Sequence, residues 1–341
     1  MPAAYDNPWS DAHALAAGCN ATLQAAVEAA LQVPADEGVG YSPVEYYGVW
    51  ACRFSDDASL SKAAKKLWPT LNSYGYYPSR WFALFAVVVF GLSVLLHLYQ
   101  LWKSRRWGYI SVIFAGALEI AGWCFRYEGA VDVRNGYVLQ LAMLTIAPTF
   151  YAGGIYTLFY LAADARDRSL MPLVSPKVFT WTIFAVEVVT IAIQAAGGAI
   201  AAITSDRDVF KVGTRIMTAG TALQLATSVA FSVLFGIYFT RLRNYTMERF
   251  AFRSRTGRIF WGILAMETLL IIRGAYRTAE LSEGLFGKVA SSQIGLILGD
   301  TVPMLVVSII LNLVHPLWTV PRDAFAHGSI PLLDTSYAED K

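Results

Sequence analysis

Charge is scarce in this chain. Aspartate, glutamate, lysine and arginine make up 15% of its 341 residues, against about 25% in an ordinary soluble domain. Apolar residues reach 56%. Two soluble domains of usual composition are thereby excluded. The motifs of enzyme chemistry are missing as well. There is no Gly-x-x-x-x-Gly-Lys-Ser/Thr loop for a nucleotide, no Gly-x-Ser-x-Gly elbow and no His-Glu-x-x-His pair. With 3 cysteines and 4 histidines, none at metal-ligand spacing, neither a metal nor a catalytic residue is expected. The start, MPAAYDNPWS, lacks the basic and apolar regions of a secretory leader.

What the chain has instead is seven long apolar runs: Trp81–Trp102, Gly108–Tyr127, Tyr137–Leu161, Phe179–Ile203, Val212–Phe239, Ile259–Tyr276 and Ile294–Pro316. About 20 helical residues rising 1.5 Å each cross the roughly 30 Å hydrocarbon layer. The expected fold is therefore all-α, a polytopic membrane protein with seven transmembrane helices. It divides into a polar N-terminal tail (1–80), a seven-helix bundle (81–316) and a short tail (317–341).

Basic residues in the short loops set the orientation. One set of loops holds twelve, from Lys103, Arg105 and Arg106 to the run Arg241–Arg258; the other holds six. The richer side is expected to be cytosolic, which puts the N-terminus outside and the C-terminus inside. The Arg241–Arg258 loop is read as this topology signal, not as a nucleic-acid site. An external tail would favour a Cys19–Cys52 disulfide, and Asn20-Ala21-Thr22 fits a glycosylation sequon. No feature specifies an oligomeric state.

Against this apolar background a few polar residues stand at bilayer depth. Glu119, Trp123 and Arg126 share one face of the second run, and Arg273, Arg277 and Glu280 share one face of the sixth. Gln140, Glu187, Gln194, Glu267 and Asp300 complete the set, with Gln224 beside them. A charge at the membrane centre costs about 2.5–3.5 kcal/mol, so these groups must face inward and pair, bind water or be protonated. Depth pairs Arg273 with Asp300. It also gathers Arg126, Gln140, Gln194, Arg273, Arg277, Glu280 and Asp300 in an outer cluster, with Glu119, Glu187 and Glu267 deeper. Such a set either bonds helices together or lines a polar cavity that binds substrate.

These residues also carry a family likeness. The segments Tyr74-Gly-Tyr-Tyr-Pro78-Ser79, Glu119…Gly122…Arg126, Gln140…Ala147-Pro148…Tyr156, Gln194…Gly197-Gly198, Gly220…Gln224, Arg273…Tyr276-Arg277…Glu280, Asp300…Pro303-Met304 and His315-Pro316 occur in order. In them the chain resembles the fungal lipid-translocating exporter family, the seven-helix RTA-like proteins. Glu187 stands where that family's pattern has aspartate, and Ser292-Gln293 where it has Glu-Trp.

The resemblance implies a fungal plasma-membrane protein that confers resistance to toxic amphiphiles or releases sphingoid long-chain bases. Its expected partners are membrane lipid and an amphipathic small molecule, with Glu119 or Asp300 neutralising an ammonium head. Two alternatives stand beside it. One is a seven-helix sensor of a lipid or toxicant. The other is haem or porphyrin binding, with His97 and His315 bracketing the iron.

Overall fold

Ser79 begins the ordered bundle by the chemistry expected of a helix cap. Its side chain accepts a hydrogen bond from the Phe82 backbone N–H at 3.3 Å, satisfying one of the donors that a helix start leaves open. The computed structural model describes residues 74, 78–105, 107–129, 133–164, 175–203, 207–246, 255–283, 289–290 and 292–315. Cys19, Cys52, Asn20 and the 317–341 tail lie outside them, as do Arg106, Arg166, Arg168, Arg249, Arg253 and Lys288 of the basic residues used for orientation.

Seven helices span the bundle, each long and apolar enough to cross a membrane: α1 (Arg80–Ser104), α2 (Ile110–Gly129), α3 (Val133–Asp164), α4 (Pro176–Ile203), α5 (Arg207–Thr246), α6 (Arg255–Ser282) and α7 (Gln293–Leu313). There is no strand among the described residues. This is an integral membrane protein of seven helices.

Each helix touches the next in sequence. Contacts of α7 with α1 close the ring, and α3 also meets α6 and α7. The central α3 is the most enclosed of the seven, with 67% of an 18-residue apolar stretch of its span buried, and it runs through Pro148 unbroken.

The faces of α1 show how such a bundle is sorted. Leu84, Val88, Leu92 and Leu95 are exposed, whereas Ser93, His97 and Gln100 are buried. The outside is apolar because lipid solvates it, so the more polar stripe marks the interior.

Two helices differ from the apolar runs that announced them. The fifth run stops at Phe239, yet α5 continues to Thr246 with Arg241 and Arg243 exposed. At 40 residues and 1.5 Å per residue it is about 60 Å long, so its ends outreach the hydrocarbon layer. The seventh run is not broken by Asp300 and Pro303. Between its α-helical parts, Gln293–Leu296 and Val302–Leu313, lies one π-helical turn, Ile297–Thr301. Pro303 sits in the first turn of the second part, where its missing N–H does least harm.

The tightest seam joins α4 to α5 at Gly197 and Gly213. A Cβ on Gly213 would lie 2.8 Å from the Ala201 backbone N and 2.8 Å from the Gly197 carbonyl oxygen. Both obstacles are backbone and cannot swing aside; close approach of this kind is how small residues join membrane helices. Gly213→Val is expected to force the helices apart at a cost of about 1–3 kcal/mol. The check is a lower melting temperature of the purified protein in detergent, with Gly91→Val, which meets nothing within 4 Å, as the neutral control.

Candidate functional site: buried charges in the bundle

The side chains singled out from the sequence are all buried. Glu119, Arg126, Gln140, Glu187, Gln194, Glu267, Arg273, Arg277, Glu280 and Asp300 each expose 6% or less of their surface. They turn inward as expected, but they do not form the outer cluster that depth alone suggested. They divide into separate niches.

The first niche is an ion clamp between α6 and α7. Arg277 donates from Nε to Asp300 Oδ1 and from Nη2 to Asp300 Oδ2, both at 2.9 Å, and from Nη1 to Glu280 Oε2 at 2.8 Å. This fork-to-fork arrangement uses the planar guanidinium in its strongest geometry. The expected Arg273–Asp300 pair is also present, with Nε 2.8 Å from Oδ1. That contact is an ion pair without hydrogen-bond alignment; Arg273 instead donates from Nη2 to the Leu144 carbonyl on α3. Asp300 is thus saturated by two arginines, which leaves it unavailable to a guest ammonium. Glu119 reaches in from α2, within electrostatic range of Asp300, Arg273 and Arg277.

The second niche lies between α2 and α3 and is closed by Tyr74. Gln140 Oε1 accepts from the Tyr74 hydroxyl at 2.8 Å and from Arg126 Nη1 at 3.2 Å. The Arg126 guanidinium lies over the rings of Tyr74 (4.9 Å) and Trp123 (5.7 Å), a cation–π arrangement.

Gln194, placed in the outer cluster by depth, belongs elsewhere. It donates to Gln224 Oε1 at 3.2 Å, and Gln224 donates to Thr149 Oγ1 at 2.8 Å. This chain of amides borders the third niche, which holds Glu187 of α4 and Glu267 of α6. Tyr156 donates its hydroxyl to Glu187 Oε1 at 3.3 Å, and Thr149 and Gln224 flank the same carboxylate. Glu187 Oε2 and both oxygens of Glu267 have no hydrogen-bond partner among the described residues. Among the described residues, the charge that acts on Glu267 is that of Glu187, not that of a lysine or arginine. Counting from Lys177 and Gly257, where their spans begin, each glutamate lies about 15 Å into the bilayer.

The fourth group runs along α1 and α7. The hydroxyls of Ser93 and Ser308 bond each other, Asn312 Nδ2 donates to Ser93 Oγ at 2.7 Å, and Gln100 Nε2 donates to the Asn312 carbonyl at 2.9 Å. His97 Nδ1 lies 3.0 Å from Gln100 Oε1. His315, near enough to His97 for the two to interact, packs its ring on Tyr109 with centroids 4.4 Å apart. Direct side-chain bonds thus join α1 to α7 along this seam, beside the two histidines.

Tyr74, Tyr156, Thr149, Ser93, Ser308 and Asn312 were not among the site residues expected from sequence. Tyr74 and Tyr156 stood in the family motifs. The others give only the weak signal of a hydroxyl or amide within an apolar run.

A family profile matches the part of the chain that carries most of these residues. The profile described as "RTA1 like protein" covers residues 112–323, which take in α2 almost whole and α3 to α7. The chain belongs to the RTA1-like family. Among curated proteins of Saccharomyces cerevisiae, it is 25% identical over 277 residues to "Sphingoid long-chain base transporter RSB1", covering 71% of this chain and 72% of that one. It is 26% identical over 279 residues to "Protein RTA1", covering 73% and 86%. It is 30% identical over 218 residues to "Protein RTM1", covering 61% and 67%. No solved structure matches the chain. The family relation supports a membrane transporter of lipid-like ligands.

Proposed function

We propose that this RTA1-like protein exports amphipathic lipids with a cationic head, sphingoid long-chain bases or toxic amphiphiles of similar form, across the fungal plasma membrane. In this reading the N-terminus faces outside, as the basic loops suggest. The name of one relative gives the substrate class. The observation that carries it to this chain is an imbalance of charge. Among the described residues the interior holds five buried carboxylates, Glu119, Glu187, Glu267, Glu280 and Asp300, but three buried guanidiniums, Arg126, Arg273 and Arg277.

Buried charge without a counter-charge is costly in a membrane, and a bundle could be packed more cheaply with apolar side chains. A surplus of carboxylate is what a lipid ammonium requires. The arginines satisfy Asp300 and Glu280, which leaves Glu187 and Glu267, with oxygens unpartnered among the described residues, as the acids open to a guest. No nucleotide loop is present to drive such movement.

The test is reconstitution of the purified protein alone. In proteoliposomes it should speed the transbilayer movement of a fluorescent long-chain amine but not that of the long-chain alcohol of equal length. Movement of the amine no faster than in protein-free vesicles would overturn the proposal. Tight binding without movement would point to a sensor instead.

A further inference from the structure

The niche around Glu187 and Glu267 has a composition that the transport reading alone does not explain. Two carboxyl groups, exposed by 0% and 1%, act on one another across helices α4 and α6. Three of their four oxygens lack a hydrogen-bond partner among the described residues. Among the described residues the neighbouring elements add one titratable group, Tyr156 of α3, with Thr149 of α3 and the amide Gln224 of α5. No lysine or arginine among the described residues faces the pair. A closed, low-dielectric niche cannot keep two carboxylates without positive charge, so the pair must take in either protons or a cationic guest.

The surroundings isolate the pair from both ends of the bundle. On the side of Lys177 and Gly257 stands a block of rings from four helices. Tyr156 packs on Phe231 at 4.6 Å, Phe231 stacks with Phe179 (5.7 Å) and Phe235 (6.2 Å), and Phe235 stacks with Phe260 (5.8 Å). On the other side stands the bonded chain Gln194–Gln224–Thr149. The site thus lies between an aromatic plug and an amide chain, with three of its carboxyl oxygens left without a hydrogen-bond partner among the described residues.

We propose that Glu187 and Glu267 form a proton–ammonium exchange site. The inference rests on the transport reading and names its coupling. When the site is empty the pair holds a proton on a carboxyl oxygen. As the lipid ammonium enters, that O–H bond breaks, the proton leaves to water, and the carboxylate pairs with the ammonium. When the lipid departs, a proton from the opposite side restores the O–H bond. One positive charge replaces another at each step, nothing is oxidised or reduced, and an inward proton gradient drives the amine out.

The experiment uses a long-chain N,N,N-trimethylammonium amphiphile, whose permanent charge prevents it from carrying a proton itself. Full-length protein is reconstituted into vesicles with a pH-sensitive dye trapped inside, and probe movement is followed in parallel by back-extraction. For the wild type the lumen should become more alkaline as the probe enters, by one proton for each probe. In Glu267→Gln and Glu187→Gln the pH signal should fall to that of protein-free vesicles, while Glu267→Asp keeps it. All variants are first required to elute as monodisperse protein.

Probe movement by the wild type without a change in lumenal pH would overturn the exchange and leave transport standing. A full pH signal in both glutamine variants would overturn the assignment to this pair. No probe movement by the wild type would overturn the transport reading itself, and the exchange with it.

Discussion

Arg277→Leu is expected to be the most damaging single substitution in the bundle. It removes three hydrogen bonds at once, two to Asp300 and one to Glu280, and leaves two carboxylates in the interior. Arg273 cannot take over, because its Nη2 is committed to the Leu144 carbonyl and its Nε contact with Asp300 is already made. Stripping one partner from a buried ion pair costs about 3–5 kcal/mol, a large part of the roughly 5–15 kcal/mol by which a typical protein is stable. The expected result is loss of monodisperse protein, or a steep fall in melting temperature where some survives. The triple substitution Arg277→Leu, Asp300→Leu, Glu280→Leu should recover most of that loss, since apolar replacement of a whole buried ion cluster is often neutral or better. An Arg277→Leu protein as stable as the wild type would show that the clamp does not hold α6 to α7.

Glu267→Met should have the opposite sign. Methionine is close to glutamate in size and shape, and the oxygens it replaces have no hydrogen-bond partner among the described residues. A buried polar group left unsatisfied costs about 1–3 kcal/mol, so the variant should melt at a higher temperature than the wild type. In the proteoliposome assay the same variant should lose amine movement. That combination, gain of stability with loss of activity, is the mark of a residue kept for function at the expense of the fold. A fall in melting temperature would make Glu267 a structural residue and deprive the acid pair of its proposed role.

These two residues illustrate what can be read from the sequence and what cannot. Depth is legible, because position along an apolar run fixes height in the bilayer. On that ground the seven helices, the Arg273–Asp300 pair and the mid-membrane placing of Glu187 and Glu267 were all accessible. Direction around the helix axis is harder. In a soluble helix the polar face announces the outside, whereas in α1 the inward stripe is marked by only three polar residues, Ser93, His97 and Gln100, so the pattern carries a weaker sign of azimuth.

Gln194 was misassigned for this reason: it stands at the depth of the clamp but faces α5. Arg277, at the outer end of its apolar run, gave no sign that it, and not Arg273, makes the forked contact. The lack of a cation beside Glu267 among the described residues depends on three other helices, α3, α4 and α5, and has no local signature.

The π-helical turn in α7 also fixes how many residues this chain can place there. One additional residue rotates the C-terminal half of the helix by about 100° relative to an unbroken α-helix. Ahead of and within the turn, α7 is gripped by α6 through Asp300; beyond it, Ser308 and Asn312 are fastened to α1. The two attachments are made to different neighbours, and the extra residue lets one helix satisfy both. Deleting a single residue between Leu296 and Thr301 would rotate one half out of register, so the length of this short stretch is constrained even where the identity of its side chains is free to vary.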